Sequence, residues 1–325
     1  MSRFDHVMPT SLKEALPIAA TDGSRILAGG TDLLRELHAG SARAARLVSL
    51  RGIPGLDQIE RTPKGGLMIG ARVTLAEIGA HRGITKEWTA LADATFGAAT
   101  PALRNVATLA GNLLQRPACE YYRTDFQCLL KGGADCPART GDNTHHAIFG
   151  GGACVSAHPS DAAAALLALD ARIHSNGPKG LRTRLVSELY RKPTAARPSE
   201  IALPHDEIIT AIELPPPVGR SLYIQARERQ AWAFALVGVA ARLDINAAGR
   251  IRSARVALCG VAPIPWALPA VETWLRGRSI TKDGWAEEAG RRAALGARAL
   301  EHNRYKVALV TGLVTRALTR LAGRG

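Results

Sequence analysis

The sequence predicts a mixed helix-and-sheet protein of the α+β class, and three observations carry that reading. Apolar strand-like runs at 25–28, 46–50 and 66–71 alternate with helical ones in short, irregular units. Residues 207–214 read as a strand closed by Pro215-Pro216-Pro217, which places a boundary near 215–220 and divides the chain into domains 1–218 and 219–325. Beyond it, Val237–Ile245 and Ile251–Cys259 read as adjacent strands, followed by helices at about 269–276, 283–297 and 303–321. The C-terminal third is thus expected to be a sheet with helices on one face.

Composition narrows the class. With 46% hydrophobic and 22% charged residues over 325 positions, the chain can bury a substantial core. No apolar run reaches the roughly 18 residues that a membrane span needs, so membrane insertion is not expected. Residues 1–9 show no charged leader followed by an apolar block. The expectation is a cytoplasmic chain, or one carried to the periplasm by a partner that has a signal. The net charge of +14 raises nucleic acid as a partner. Its arginines are scattered through Ala-Arg-rich helical segments, such as Arg291-Arg292, Arg316 and Arg320, which fits solvated faces and no nucleic acid.

Taken in order, Thr10-Ser11 offers hydroxyl caps to a helix beginning at Leu12. The strand Ile26-Leu27-Ala28 breaks at Gly29-Gly30-Thr31-Asp32 and gives way to a helix from Leu33. Strand, glycine turn and helix are the layout of a phosphate cradle, because glycines let successive backbone N–H groups converge on an anion at a helix start. The three spaced glycines of a dinucleotide-binding Rossmann turn are absent. Strands follow at 46–50 and 66–71, then helices from Thr74 and Thr89. A second turn of small residues comes at Thr108-Leu109-Ala110-Gly111-Asn112. Two such turns favour a long diphosphate ligand.

Between that turn and His158-Pro159-Ser160-Asp161 lies a long loop holding Cys119, Cys128, Cys136 and Cys154, four of the five cysteines. The loop has no clear periodicity and is rich in glycine and charge, which marks a functional excursion rather than a connector. The gaps of eight, seven and seventeen residues lack the close pairs of a structural zinc site. An iron-sulfur cluster accepts four thiolates from widely spaced positions. Zinc, disulfides and unrelated buried thiols remain the alternatives. After the loop, residues 147–150 read as a strand, and Pro159-Ser160-Asp161 caps a helix at 162–169. Asp161 either favours that helix start or binds a ligand hydroxyl or amide. Cys259, in an apolar strand, reads as a packed thiol.

Together these residues resemble the FAD-binding subunit of the molybdenum hydroxylases, the xanthine dehydrogenase and carbon monoxide dehydrogenase family. The matching segments are Ile26 to Leu33, Arg104-Asn105, Ala107 to Asn112, Ser160-Asp161, Arg227 with Phe234-Ala235-Leu236, and Asn303 to Val307. The loop, with Gln115 to Cys119, Tyr121-Tyr122-Arg123, Lys131-Gly132-Gly133 and His146-Ala147-Ile148, resembles the FAD subunit of periplasmic bacterial aldehyde oxidoreductase. That subunit carries an added 4Fe-4S cluster, as does the related subunit of 4-hydroxybenzoyl-CoA reductase.

The resemblance implies an FAD domain of two α+β subdomains of the vanillyl-alcohol-oxidase kind, with a cluster loop at about 115–157. A C-terminal α+β domain of the CO dehydrogenase flavoprotein type would follow. It implies that Ile26, Leu27, Ala28, Gly29, Gly30, Thr31, Asp32 and Leu33 surround the FAD diphosphate, with Thr108, Gly111 and Asn112 on the second loop. Asp161 would lie towards the adenosine or ribityl part, Ile209 against the cofactor, and Gln225 near the flavin where many relatives have Lys. Cys119, Cys128, Cys136 and Cys154 would ligate the cluster.

It further implies an electron-transfer subunit of a heterotrimer, beside a large subunit with a molybdenum cofactor and a small subunit with 2Fe-2S clusters. Electrons would pass to an external acceptor, and no residue of this chain would act on the aldehyde itself. A 4-hydroxybenzoyl-CoA reductase-like subunit is one alternative, and a cofactor-free basic binding protein another.

Overall fold

The computed structural model describes residues 3–229 and 233–323, so the first two residues of the chain start lie outside it. Three sheets organise the described residues. Asp5–Val7, Arg46–Ser49 and Ser24–Leu27 form a small parallel sheet with Arg46–Ser49 at its centre. The helices Leu12–Ala19 and Leu33–Ala39 accompany it. Ser11 caps the first helix by accepting from Glu14 N at 3.2 Å, as its position before the apolar run predicts.

The second sheet has five antiparallel strands in the order Ile59–Arg61, Leu67–Gly70, Ile208–Leu214, Arg172–Gly177 and Gly180–Leu185. The chain leaves it at Leu214, crosses 215–219 and enters the third sheet at Arg220. That sheet runs Trp266–Ala267, Ile251–Cys259, Val237–Ile245 and Arg220–Ala226, all antiparallel. Val237–Ile245 and Ile251–Cys259 pair as adjacent strands, as their alternation predicts.

The alternation of the third sheet decides how the molecule is joined. Val237, Val239, Ala241, Val256 and Leu258 point into a core shared with the helices Pro269–Leu275, Trp285–Ala293 and Tyr305–Leu321. Tyr223, Ala240, Ala257 and Cys259 point the other way, into the core of the first 214 residues. The three helices of the C-terminal third thus pack on one face of the sheet, as expected. The opposite face is covered by Thr89–Gly97 and Asp161–Ala168, so two cores share one sheet.

The expected strand at 147–150 does not form. Ile148 N and Phe149 N both donate to Val261 O, at 2.8 and 2.9 Å, while Ala147 N donates to Val155 O. Buried backbone groups are satisfied here by single contacts to different segments instead of a ladder. Thr108 to Asn112 is likewise a short helix, Leu109–Leu113, capped by Thr108.

Candidate cofactor site

The glycine turn after Ser24–Leu27 and the turn before Leu109–Leu113 meet back to back. A Cβ on Gly29 would lie 2.0 Å from Val106 O and 3.2 Å from Ala107 Cα, so only glycine permits the approach. Gly30 has φ of +70°, a left-handed conformation that side chains disfavour. Leu34 and Val106 beside these glycines are exposed apolar side chains, and Phe96 and Phe234 are exposed too. The cradle thus has narrow glycine walls and an apolar rim, the surface a flavin nucleotide would cover.

Thr108 Oγ1 accepts from Gly111 N at 3.2 Å, which fixes the second turn. Asn112 Oδ1 accepts from Ser160 Oγ at 2.6 Å, and that same hydroxyl caps the helix Asp161–Ala168 by accepting from Ala163 N at 3.0 Å. Ser160 is therefore the cap, and Asp161 is the first residue of the helix. Asp161 is buried, and its Oδ1 accepts from Tyr223 OH at 2.6 Å and from Cys259 Sγ at 3.4 Å. Burial pushes its carboxyl up to about 6, against the lowering effects of Tyr223, Cys259 and Arg227.

Ile209 is buried in the first core. Gln225 stands on Arg220–Ala226, where a Cβ on Gly97 would lie 2.8 Å from its Nε2. Its Oε1 is buried without a hydrogen-bond partner. The turn it faces is held by Arg227, which donates to Gly97 O at 2.8 Å, and by Arg104, which donates to Ala98 O at 2.8 Å. Ala99 in that turn has φ of 50°, a conformation stored there by the two arginines. Sequence patterns carry no sign of this turn.

Asp32 is bonded to the start of the cysteine loop. Its Oδ2 accepts from Arg116 N at 2.8 Å and its Oδ1 from Arg123 Nη2 at 2.7 Å, which ties the cradle to the start of the cysteine loop. Behind it, Tyr122 OH donates to Glu36 Oε1 at 2.5 Å, and Arg116 Nε lies 2.9 Å from the fully buried Glu200. These partners are far apart in sequence and escaped the sequence reading.

The loop gathers its thiols. Cys119, Cys128 and Cys154 pack with Tyr122, Leu129 and Leu130, and Cys136 packs on Val155. The neighbouring Cys154 thiol holds Cys136 below its ordinary value. Burial raises Cys119 to about 11, and charge on Cys136 or Cys128 would raise it further. All five cysteines are free thiols. Among the described residues, no group of three or more His, Cys, Asp or Glu is arranged to hold a metal ion. The loop nevertheless carries Arg123 Nη1 and His146 Nδ1 buried without partners. Of these, Arg123 Nη1 is a free donor that a group rich in sulfur acceptors could take up.

Residues 2–217 match the family model of the FAD binding domain in molybdopterin dehydrogenase, and residues 221–321 match the CO dehydrogenase flavoprotein C-terminal domain. The chain belongs to the FAD-binding subunits of the molybdenum hydroxylases and is an oxidoreductase subunit of that family.

Among its relatives is the aldehyde oxidoreductase FAD-binding subunit PaoB of Escherichia coli K12, 38% identical over 82% of this chain and 83% of that one. The xanthine dehydrogenase FAD-binding subunit of Escherichia coli O157:H7 is 25% identical over 78% of this chain and 73% of that one. The same fold occurs in carbon monoxide dehydrogenase from Hydrogenophaga pseudoflava, with a TM-score of 0.78 at 22% identity over 99% of this chain and 98% of that one. A cofactor-free binding role for the positive charge is thereby set aside. No helix among the described residues is long and apolar enough to cross a membrane.

Proposed function

We propose that this chain is the FAD- and 4Fe-4S-containing electron-transfer subunit of a heterotrimeric, molybdenum-dependent aldehyde oxidoreductase, exported with a partner or retained in the cytoplasm. The observation that supports the reading is that one loop holds Cys119, Cys128 and Cys154 packed together, with Cys136 on the adjoining Val155, and is tied by Asp32 to the glycine cradle. Likeness to an aldehyde oxidoreductase subunit supports the substrate class. The domains are taken as 1–218 and 219–325, with the cluster loop at about 115–157.

When bound, the flavin supplies exchange of one or two electrons and the cluster exchange of one, with the organic and inorganic chemistry belonging to the cofactors. The protein supplies position and field. Backbone from Ile26 to Leu33, with Thr108, Gly111 and Asn112, would hold the diphosphate. Ile209 would pack on the cofactor, and Gln225 would offer its unpartnered Oε1 or its amide to the flavin. Buried Asp161 would act through Tyr223, orienting the third sheet against the site, and any contact it makes with the ribityl chain would add to that. The four thiols would ligate the cluster as thiolates, with His146 beside Cys119 at 3.3 Å.

The test is co-expression with a molybdenum large subunit and a 2Fe-2S small subunit, followed by addition of an aromatic aldehyde under anaerobic conditions. Bleaching of flavin absorption in the purified three-subunit complex supports the reading. Flavin that stays oxidised with aldehydes but is used in reduction of an aromatic acyl-CoA by a low-potential donor assigns the complex to the reductase class instead.

A further inference from the structure

Lys306 is fully buried, in the first turn of the C-terminal helix Tyr305–Leu321. Its ammonium donates to three backbone carbonyls, His145 O at 2.8 Å, His146 O at 3.0 Å and Gly260 O at 2.9 Å. Three donors meet three acceptors, and each of these contacts is a charge-assisted bond to main chain. Burying an ammonium is costly unless it is fully hydrogen-bonded, so a lysine here is a poor choice for packing alone.

Neighbouring residues grip the same segment. Asn303, also fully buried, donates from Nδ2 to His146 O at 3.2 Å and Ala147 O at 3.3 Å, while its Oδ1 accepts from Leu300 N at 2.7 Å. His302 N donates to Asn143 Oδ1 at 2.8 Å, and Tyr305 OH to Thr144 O at 3.0 Å. The residues gripped, 143–147, are the far arm of the cysteine loop. His146 in that arm places its Nε2 3.3 Å from Cys119 Sγ, across 27 positions of sequence.

We infer that Lys306 and Asn303 are positioning residues by which the C-terminal domain locks the cysteine loop, fixing His146 against Cys119. The near arm of the loop is anchored by Asp32 and the far arm by Lys306, so the thiols are suspended between the two domains. Replacing Lys306 with Met takes the donor from the His145 and Gly260 carbonyls, leaves His146 O bound by Asn303 alone, and frees the arm. The inference concerns the fold of the loop and holds whether or not the thiols carry iron.

The experiment uses the full chain as purified, with FAD and iron measured first. Alkylation of each cysteine by N-ethylmaleimide is followed by peptide mapping, and limited proteolysis is read between residues 117 and 147. Lys306→Met and Asn303→Ala are expected to raise the Cys119 alkylation rate by about tenfold through local opening. Val310→Ala, a cavity in the same helix against the third sheet, is the control for general destabilisation. It is expected to lower thermal stability and leave Cys119 protected. Unchanged protection in both Lys306→Met and Asn303→Ala, or equal exposure in Val310→Ala, overturns the inference. Absence of iron from the wild type would count against the cluster alone.

Discussion

Tyr223, on the sheet of the C-terminal domain, donates its phenol to buried Asp161 at the start of a helix of the first domain, over 2.6 Å. The contact joins the two cores where the flavin cradle, through Asn112 and Ser160, also converges. Tyr223→Phe leaves a buried carboxyl with only Cys259 as a side-chain donor. A stability loss of about 1–3 kcal/mol is expected, checked by denaturant unfolding of the flavin-free chain. A Tyr223→Phe protein as stable as wild type would remove the contact from the account.

Asp161 also gives a pH signature. Its carboxyl in the folded chain is raised to about 6 from an ordinary value of 3.8. Between those values the folded state keeps a proton that the unfolded state has lost, so stability from this group falls as pH rises through the window. Relative to Asp161→Asn, the wild type is expected to lose stability between about pH 4 and 6. A difference that is constant across that range contradicts the assignment.

Gly29 and Gly30 are expected to fail differently. At Gly29 a Cβ meets the Val106 backbone at 2.0 Å, whereas at Gly30 it meets the movable Leu34 side chain at 2.9 Å. Gly29→Ala is expected to separate the two turns, losing both FAD and thermal stability. Gly30→Ala is expected to cost about 1 kcal/mol or more from its left-handed backbone and to retain part of the flavin. Flavin titration and melting of the two variants decide the matter, and full FAD content in Gly29→Ala would contradict the cradle.

Gln225→Lys tests the proposal that this position faces the flavin. An ammonium there would stabilise an anionic reduced flavin better than the neutral amide, raising the flavin midpoint potential. Spectroelectrochemical titration that finds the same potential in wild type and variant would place Gln225 away from the ring.

Local features of the fold were legible in sequence. Ser11 and Ser160 occupy caps, and 237–245 and 251–259 pair as adjacent strands. The strand Arg220–Ala226 and the hairpin 172–185 were not, because polar and charged residues interrupt their alternation. Residues 147–150 look like a strand by composition, yet they bond to Val261 and Val155 separately. In the site, the cysteines were visible as a crowd, while what holds them was not. Asp32 with Arg123, Glu36 with Tyr122 and Lys306 with His146 are pairs 86 to 160 residues apart. No local period encodes such pairs.

The central claim is that four thiols of one loop carry an iron-sulfur cluster beside FAD, and iron per flavin in the purified chain tests it most directly. Wild type is expected to hold about four irons per FAD beyond those of any partner. Replacement of Cys119, Cys128, Cys136 or Cys154 by Ser is expected to lower that ratio, with Cys259→Ser leaving it unchanged. Zinc in place of iron, or the same iron content in all five variants, would contradict the account.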